Sequence, residues 1–352
     1  MSPQRTVLKY ACIGAGGIAR KKHLPGYSAD GRVKLAAVCD RDLPLAGKLA
    51  ENFGIERVYA DYKEMIEDVK PDIVSICTPN FTHAEIAVYA LEHNCHVHVE
   101  KPMALNARQA ELIAETAKKS SRQVLHGLNK RYLGQTFLVQ RLISEGFFGE
   151  IYKASCGWER SSGIPGTGRW FTEKALSGGG AMIDLGVHYL DLVLSFIGHD
   201  RVTSVEAATH SVFGPGSERI RRGYKSDSNG VYDVEDHASG MLRTESGAAI
   251  DFVFSWASNI EKEIRYVELV GTKGGFRAEN DHFRLFRQYG GTMFTLVPDE
   301  ATIPEGINEC SHFISSVLSG KKVLTPAEDG VYLMRIIDAL YRSAEIRDRI
   351  TV

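Results

Sequence analysis

Long apolar runs are missing from this sequence. Its longest candidate, residues 248–257, is interrupted by Asp251 and Ser255, well short of the length a bilayer-spanning helix needs. Residues 1–9 contain no apolar core of the kind a secretory signal carries, so a cytoplasmic chain is expected. Net charge is nearly absent: 42 Lys and Arg against 44 Asp and Glu leave a formal −2. No global basic field is therefore available to hold nucleic acid. The six cysteines, Cys12, Cys39, Cys77, Cys95, Cys156 and Cys310, include no C-x-x-C pair. Four of them fall in or beside apolar strand patterns, where a free thiol behaves as a small hydrophobe, and a reducing compartment is expected. No internal repeat or low-complexity tract is present.

What is present is 352 residues of ordinary globular composition, 43% hydrophobic and 24% charged, enough for two domains with separate cores. Short apolar strands alternate with helical patterns in the first part. Strands are expected at 7–13, 33–39, 72–77, 96–99 and 123–127, and helices at 17–28, 43–53, 81–92 and 107–119, the last opened by Asn106 with Gln109 three residues on. That alternation means βαβ units and a parallel sheet covered by helices. After residue 127 the texture changes. Residues 132–145 read as a helix, 151–160 as a strand, and a Gly-rich stretch at 177–181 leads into an apolar helix through Ile197. Residues 248–256 place Ile250, Phe252, Phe254 and Trp256 on one face, a half-buried strand, and strands follow at 266–270, 275–278, 283–287 and 292–296. The sheet they imply is predominantly antiparallel. Thr325, Pro326 and Glu328 open a last helix. Residues 214–230, with Arg219, Arg221, Arg222 and Lys225, read as a solvated loop, with a lid as the sharper alternative.

Residues 14–19, Gly-Ala-Gly-Gly-Ile-Ala, fit G-x-G-x-x-A between a predicted strand and a predicted helix. In that context the pattern has a mechanism. Gly14 permits the tight turn, Gly16 lets backbone approach a pyrophosphate, and Ala19 keeps helix close to strand. Gly17 and Ile18 begin the helix, whose free N–H groups and positive dipole end face the phosphates. Asp40 follows the second strand, where a carboxylate accepts hydrogen bonds from the adenosine ribose and repels a 2′-phosphate, so NAD is favoured. Arg41 beside it keeps NADP open.

Further motifs follow in a definite order: Thr78-Pro79-Asn80 with His83, Glu100-Lys101-Pro102, Gly178-Gly179-Gly180, then Asp184-Leu185-Gly186-Val187-His188. With the glycine loop, they resemble the Gfo/Idh/MocA family (glucose-fructose oxidoreductase and inositol dehydrogenase) over the whole chain. The resemblance implies a Rossmann domain, residues 1–127, and an α+β domain, residues 128–352, built on a large open sheet that binds substrate and self-associates, with the last helix available to pack back on the first domain. It implies a hydride transfer between nicotinamide and a ring hydroxyl of a sugar, glycoside or cyclitol. Within it, His188 is the acid/base, Asp184 orients that imidazole or binds a hydroxyl, and Lys101 polarises the reacting oxygen. Thr78, Pro79, Asn80, His83, Glu100, Lys101 and Asn129 join the cofactor site, and Arg131 and Trp170 the substrate site. A homodimer or homotetramer is expected.

The chemistry can be argued from the residues too. Lys101 stands at the carboxyl end of a parallel strand, where open α/β sheets bind ligands, and a cation there stabilises a developing alkoxide. Asp184 and His188, at i and i+4, share a helical face, and histidine is suited to taking a hydroxyl proton near neutral pH. The bland alternatives are a surface lysine and a structural His–Asp hydrogen bond; Arg131 and Trp170 have equally ordinary readings as a structural arginine and a packed aromatic. His96-x-His98 puts two imidazoles on one strand face, but no cysteine or carboxylate lies at ligand spacing in the sequence, so no metal is expected. The glycine-rich entry and the 161–171 loop look like relatives acting on pyranosides, including glycoside 3-dehydrogenases. An inositol dehydrogenase, a glycosidase working by transient oxidation with retained NAD, and a non-catalytic dinucleotide sensor are the alternatives.

Overall fold

A computed structural model describes residues 7–198, 200–214, 217–223, 226–227, 229–280 and 282–352. Lys225 and the first six residues lie outside the described residues. The chain forms two compact units, residues 1–128 with 307–332, and residues 129–306 with 333–352.

The first unit is a six-stranded sheet, β1 (Leu8–Ile13), β2 (Val33–Cys39), β3 (Val58–Tyr59), β4 (Ile73–Ile76), β5 (His96–Val99) and β6 (Val124–His126), in the order β3-β2-β1-β4-β5-β6. Every pairing is parallel. The order reverses between β1 and β4, which opens a crevice at the strands' carboxyl ends, the dinucleotide-binding point of such sheets. Central strands are apolar on both faces, as helices on both sides require: β4 is buried throughout. Helix starts follow the capping chemistry. Asn106 accepts from the Gln109 N–H at 3.0 Å, and Asp61 accepts from Lys63 and Glu64 to open Tyr62–Val69, a helix the sequence pattern did not announce. The segment Glu309–Ser319 also belongs to this unit.

The second unit is a nine-stranded sheet. Its strands are β7 (Ile151–Glu159), β8 (Val202–His210), β9 (His237–Thr244), β10 (Ala249–Ser255), β11 (Ile264–Gly271), β12 (Gly274–Glu279), β13 (His282–Tyr289), β14 (Thr292–Leu296) and β15 (Ile350–Thr351). Only β7–β10 pairs in parallel among the described strands; the other pairings are antiparallel. One cross-strand row runs Leu242, Ile250, Ala154, Leu269, Phe276, Leu285, all buried. The apolar helix Val187–Ile197 packs on β7. Residues 248–257 are not the longest apolar candidate after all: the run Lys174–Ile197 is long and apolar enough for a bilayer, but most of it is buried inside the protein, which marks a core helix.

The register corrects one expectation. Val267 and Leu269, read from the sequence as exposed opposite the Ile250/Phe252 face, lie on that face and are buried. Ile250 and Phe252 pair with Ala154 and Cys156, which pair in turn with Leu269 and Val267. Side-chain parity carries across paired residues, so register, unseen in the sequence, decides the face. Val253 and Tyr266 lie on the other face, together with Asp251, Glu268 and Arg277, and Arg277 pairs with Glu268 and Glu279 there.

Residues 217–223 form no free lid. Arg219 O accepts from the Gly163 and Ile164 N–H groups, Arg221 N–H donates to Ile164 O, and the Arg219 guanidinium donates to the carbonyls of Ser161 and Ser258.

Candidate active site

In the first unit β1 runs into Gly14 at φ +95°, a left-handed value, and a Cβ there would lie 2.6 Å from Cys77 O. Only glycine fits. At Gly16 and Gly17 an added Cβ would meet nothing within 4 Å, so the loop presents bare backbone to open space. That is the cradle a pyrophosphate needs at a helix N-terminus. Ile18, 40% exposed, flanks it, and Ala19 is fully buried beneath. Asp40 organises the loop itself: Oδ2 accepts from Ala15 N–H at 2.7 Å and Oδ1 from Asp42 N–H at 2.9 Å. Each oxygen keeps a lone pair for a ribose hydroxyl. Arg41 is exposed beside it. These features fit NAD.

The next two loops are braced from below. His83 is buried, with ring nitrogens 2.8 Å from Pro102 O and 2.9 Å from Thr78 O, and burial lowers its pKa. At 1% exposure it ties the Thr78-Pro79-Asn80 turn to the Lys101-Pro102 turn rather than reaching a ligand. Asn80 is also buried, while Thr78 and Lys101 are half-exposed. Glu100 is an internal brace as well. Oε1 accepts from Lys22 Nζ at 2.9 Å and faces His23 Nε2 at 2.8 Å; Oε2 accepts from Lys101 N–H at 3.3 Å. Burial alone would raise its pKa, but the Lys22 ammonium and His23 hold it well below the usual carboxylate range.

His23, His98 and Glu100 place their ligand atoms within 4.8 Å of one another, a grouping no sequence spacing revealed. Glu309 adds a second carboxylate, 3.4 Å from His98 Nε2. The Lys22 ammonium contacts both carboxylates, at 2.9 and 2.6 Å, and so supplies positive charge to the cluster from within the chain. His96 is turned to the backbone, its Nδ1 accepting from Gln123 N–H at 3.0 Å.

In the second unit the triple glycine is dictated by packing. Gly178 ends the short helix Lys174–Ser177 at φ +87°, and side chains at Gly179 or Gly180 would overlap Tyr341 or the Glu235 carbonyl. Glu235, absent from the sequence reading, accepts from the Gly180 and Met182 N–H groups at 2.9 Å each and from Tyr341 OH at 2.9 Å. The helix then opens in a π-helical turn, Met182–Gly186, before continuing as Val187–Ile197. Such turns recur at functional sites. Asp184 sits in that turn and His188 four residues later; both are half-exposed, while every other residue from 181 to 190 is buried. Trp256, at the end of β10, donates its indole N–H to Asp184 Oδ2 at 2.9 Å.

Asn129 is exposed on the turn Asn129–Tyr132. Arg131 commits its fork to Asp191, with Nε and Nη2 at 2.8 and 2.6 Å from the two carboxylate oxygens, which ties that turn to the helix Val187–Ile197. The ion pair favours the structural reading of Arg131 over substrate contact. Trp170 is half-exposed and stacks on Phe171 with ring centroids 3.8 Å apart.

Residues 8–128 match the sequence model of the oxidoreductase family with an NAD-binding Rossmann fold, and residues 138–277 match the Gfo/Idh/MocA C-terminal domain. The chain belongs to the Gfo/Idh/MocA family. As a member it is an NAD-dependent oxidoreductase. It is 34% identical over 345 residues to the D-glucoside 3-dehydrogenase of Escherichia coli (strain K12), covering 97% of each chain. The scyllo-inositol 2-dehydrogenase (NAD(+)) of Bacillus subtilis (strain 168) is 28% identical over 295 residues, 82% of this chain and 80% of that one. Among solved structures of the same fold, levoglucosan dehydrogenase in complex with NADH and levoglucosan superposes with a TM-score of 0.86 at 22% identity, covering 98% and 99% of the two chains. In this Gfo/Idh/MocA chain the residues that match the family motifs fall into two groups. Gly14, Gly16, Gly17, Ile18 and Asp40 form a surface, whereas His83, Glu100 and Arg131 hold such surfaces in place.

Proposed function

We propose that this chain oxidises the C3 hydroxyl of a glucoside. The observation that carries the reading is the end-to-end similarity to the D-glucoside 3-dehydrogenase, joined to a half-exposed Asp184/His188 pair on an otherwise buried helix start. Bound NAD supplies the hydride acceptor. The Gly16 and Gly17 amides hold the phosphates and Asp40 the adenosine ribose. His188 takes the proton of the reacting hydroxyl, and the Lys101 ammonium stabilises the alkoxide that develops as hydride leaves carbon. The products are the 3-keto glucoside and NADH. The test follows NADH absorbance with methyl glucosides, glucose, myo-inositol and scyllo-inositol. Highest kcat/KM on a methyl glucoside, with the ketone at C3 by NMR, supports the reading. Preference for an inositol overturns it.

The cofactor preference follows from Asp40. We expect kcat/KM with NAD to exceed that with NADP by at least roughly tenfold, because a 2′-phosphate meets that carboxylate. Asp40→Ala should narrow the ratio by weakening NAD. A wild-type preference for NADP would show that Arg41 dominates.

The chain is proposed to work in the cytoplasm as a homo-oligomer. Its six cysteines are unpaired and buried, which suits a reducing compartment. β14 is a sheet edge that exposes Met293, Phe294 and Leu296, a pairing surface natural proteins seldom leave open. Light scattering should report a mass above one chain, lowered by Phe294→Glu; a monomer that persists at micromolar concentration refutes the association.

A further inference from the structure

Trp256 is fully buried, and its indole N–H is spent on Asp184 Oδ2 at 2.9 Å. Both ends of this bond are fixed by other contacts. On the donor side, Trp256 N–H donates to Asp236 O at 2.8 Å, Ser255 Oγ donates to Ala257 O at 2.8 Å, and Phe254 lies against Gly186, where a Cβ would come within 2.9 Å of its ring. On the acceptor side, the π-helical turn carrying Asp184 is held by the Glu235 carboxylate on Gly180 and Met182, and Asp184 N–H donates to Gly180 O at 3.0 Å. A rigid donor therefore meets a half-exposed carboxylate on a rigid turn.

We propose that Trp256 is a positioning residue for sugar oxidation: its indole N–H holds Asp184 through Oδ2 and so sets the direction in which that carboxylate faces the reaction. The inference rests on Asp184 belonging to the alcohol-oxidising site. A side-chain carboxylate otherwise rotates about its Cβ–Cγ bond and presents either oxygen in many directions. A charge-assisted hydrogen bond from a buried indole restricts that freedom. A phenyl ring at the same place would retain most of the apolar packing and lose the donor.

The experiment is a double-mutant cycle of Trp256→Phe and Asp184→Asn, with methyl glucoside oxidation, NAD titration and pH profiles for each protein. Trp256→Phe should lower kcat/KM about tenfold, the equivalent of one charge-assisted hydrogen bond, with NAD affinity unchanged. The loss should fall on kcat more than on KM, because the orientation of Asp184 matters most as the transition state forms. In the Asp184→Asn background the same change should cost less than about twofold, because coupled residues fail to add. Full activity of Trp256→Phe, or an undiminished loss in the Asp184→Asn background, overturns the proposal. An Asp184→Asn enzyme that keeps wild-type activity overturns instead the site reading beneath it. Should Trp256→Phe not fold, 5-fluorotryptophan labelling of the three tryptophans keeps the question open to 19F NMR in the intact enzyme. A single resonance, shifted both by Asp184→Asn and by saturating methyl glucoside, supports the assignment. Resonances that ignore the sugar overturn it.

Discussion

Replacing Lys101 by alanine should lower the turnover of glucoside oxidation by about 10²–10³-fold, the usual effect of removing one preorganised group that stabilises a developing oxyanion. Lys101 directly follows Glu100 at the carboxyl end of β5, and its backbone N–H is held by Glu100 Oε2 at 3.3 Å. Glu100 is fixed in turn by Lys22 and His23, so the Lys101 backbone starts from a rigid place. Its charge is needed only as the alkoxide forms, and the loss should therefore fall on kcat more than on KM. NAD affinity should change little, because the phosphate and ribose contacts are proposed to come from Gly14, Gly16, Gly17 and Asp40. Raising the pH should return little of the rate, since hydroxide brings no positive charge to the oxygen. Steady-state kinetics beside a fluorescence titration with NAD decide the matter, and near-normal turnover would remove Lys101 from the reaction.

The parts of this molecule that a sequence can announce are those set by local periodicity. The βα alternation, the helix opened by Asn106 and the strand 96–99 could be read because capping and alternation act within a few residues. The Asp184/His188 face was readable for the same reason. What was not readable depends on residues far apart in the chain. Glu235 lies 55 positions from Gly180, whose amide it holds, and Trp256 lies 72 from Asp184. Lys22 meets Glu100 and Glu309 from far away in the chain, which is why the His23/His98/Glu100 grouping has no counterpart in ligand spacing. Register belongs to the same class, as the burial of Val267 and Leu269 shows. The motifs themselves do not separate residues that face outward from residues that support them. His83 and Glu100 carry motif positions, yet each spends its polar atoms on the backbone or on neighbouring side chains.

His188→Ala should lower turnover by about 10²–10⁴-fold at neutral pH, the range for loss of a general base. His188 sits in the first turn of Val187–Ile197, just after the π-helical turn that carries Asp184, and is half-exposed where its neighbours are buried. On the proposed reading, that placement lets one imidazole meet a hydroxyl while the buried residues around it keep the helix in place. Its failure should look different from that of Lys101→Ala. The proton lost by the hydroxyl can go to solvent hydroxide instead, so activity should recover in part as pH rises, and small exogenous bases such as imidazole should restore some of the neutral rate. NAD binding should stay close to wild type, and thermal unfolding should shift only modestly, as expected for trimming a half-exposed side chain. The decisive comparison sets the pH profile of His188→Ala against that of Lys101→Ala with the same glucoside. Near-wild-type turnover of His188→Ala at neutral pH would pass the role of base to Asp184 or Lys101. Joint loss of NAD binding and of the folded state would show instead that His188 holds the helix together.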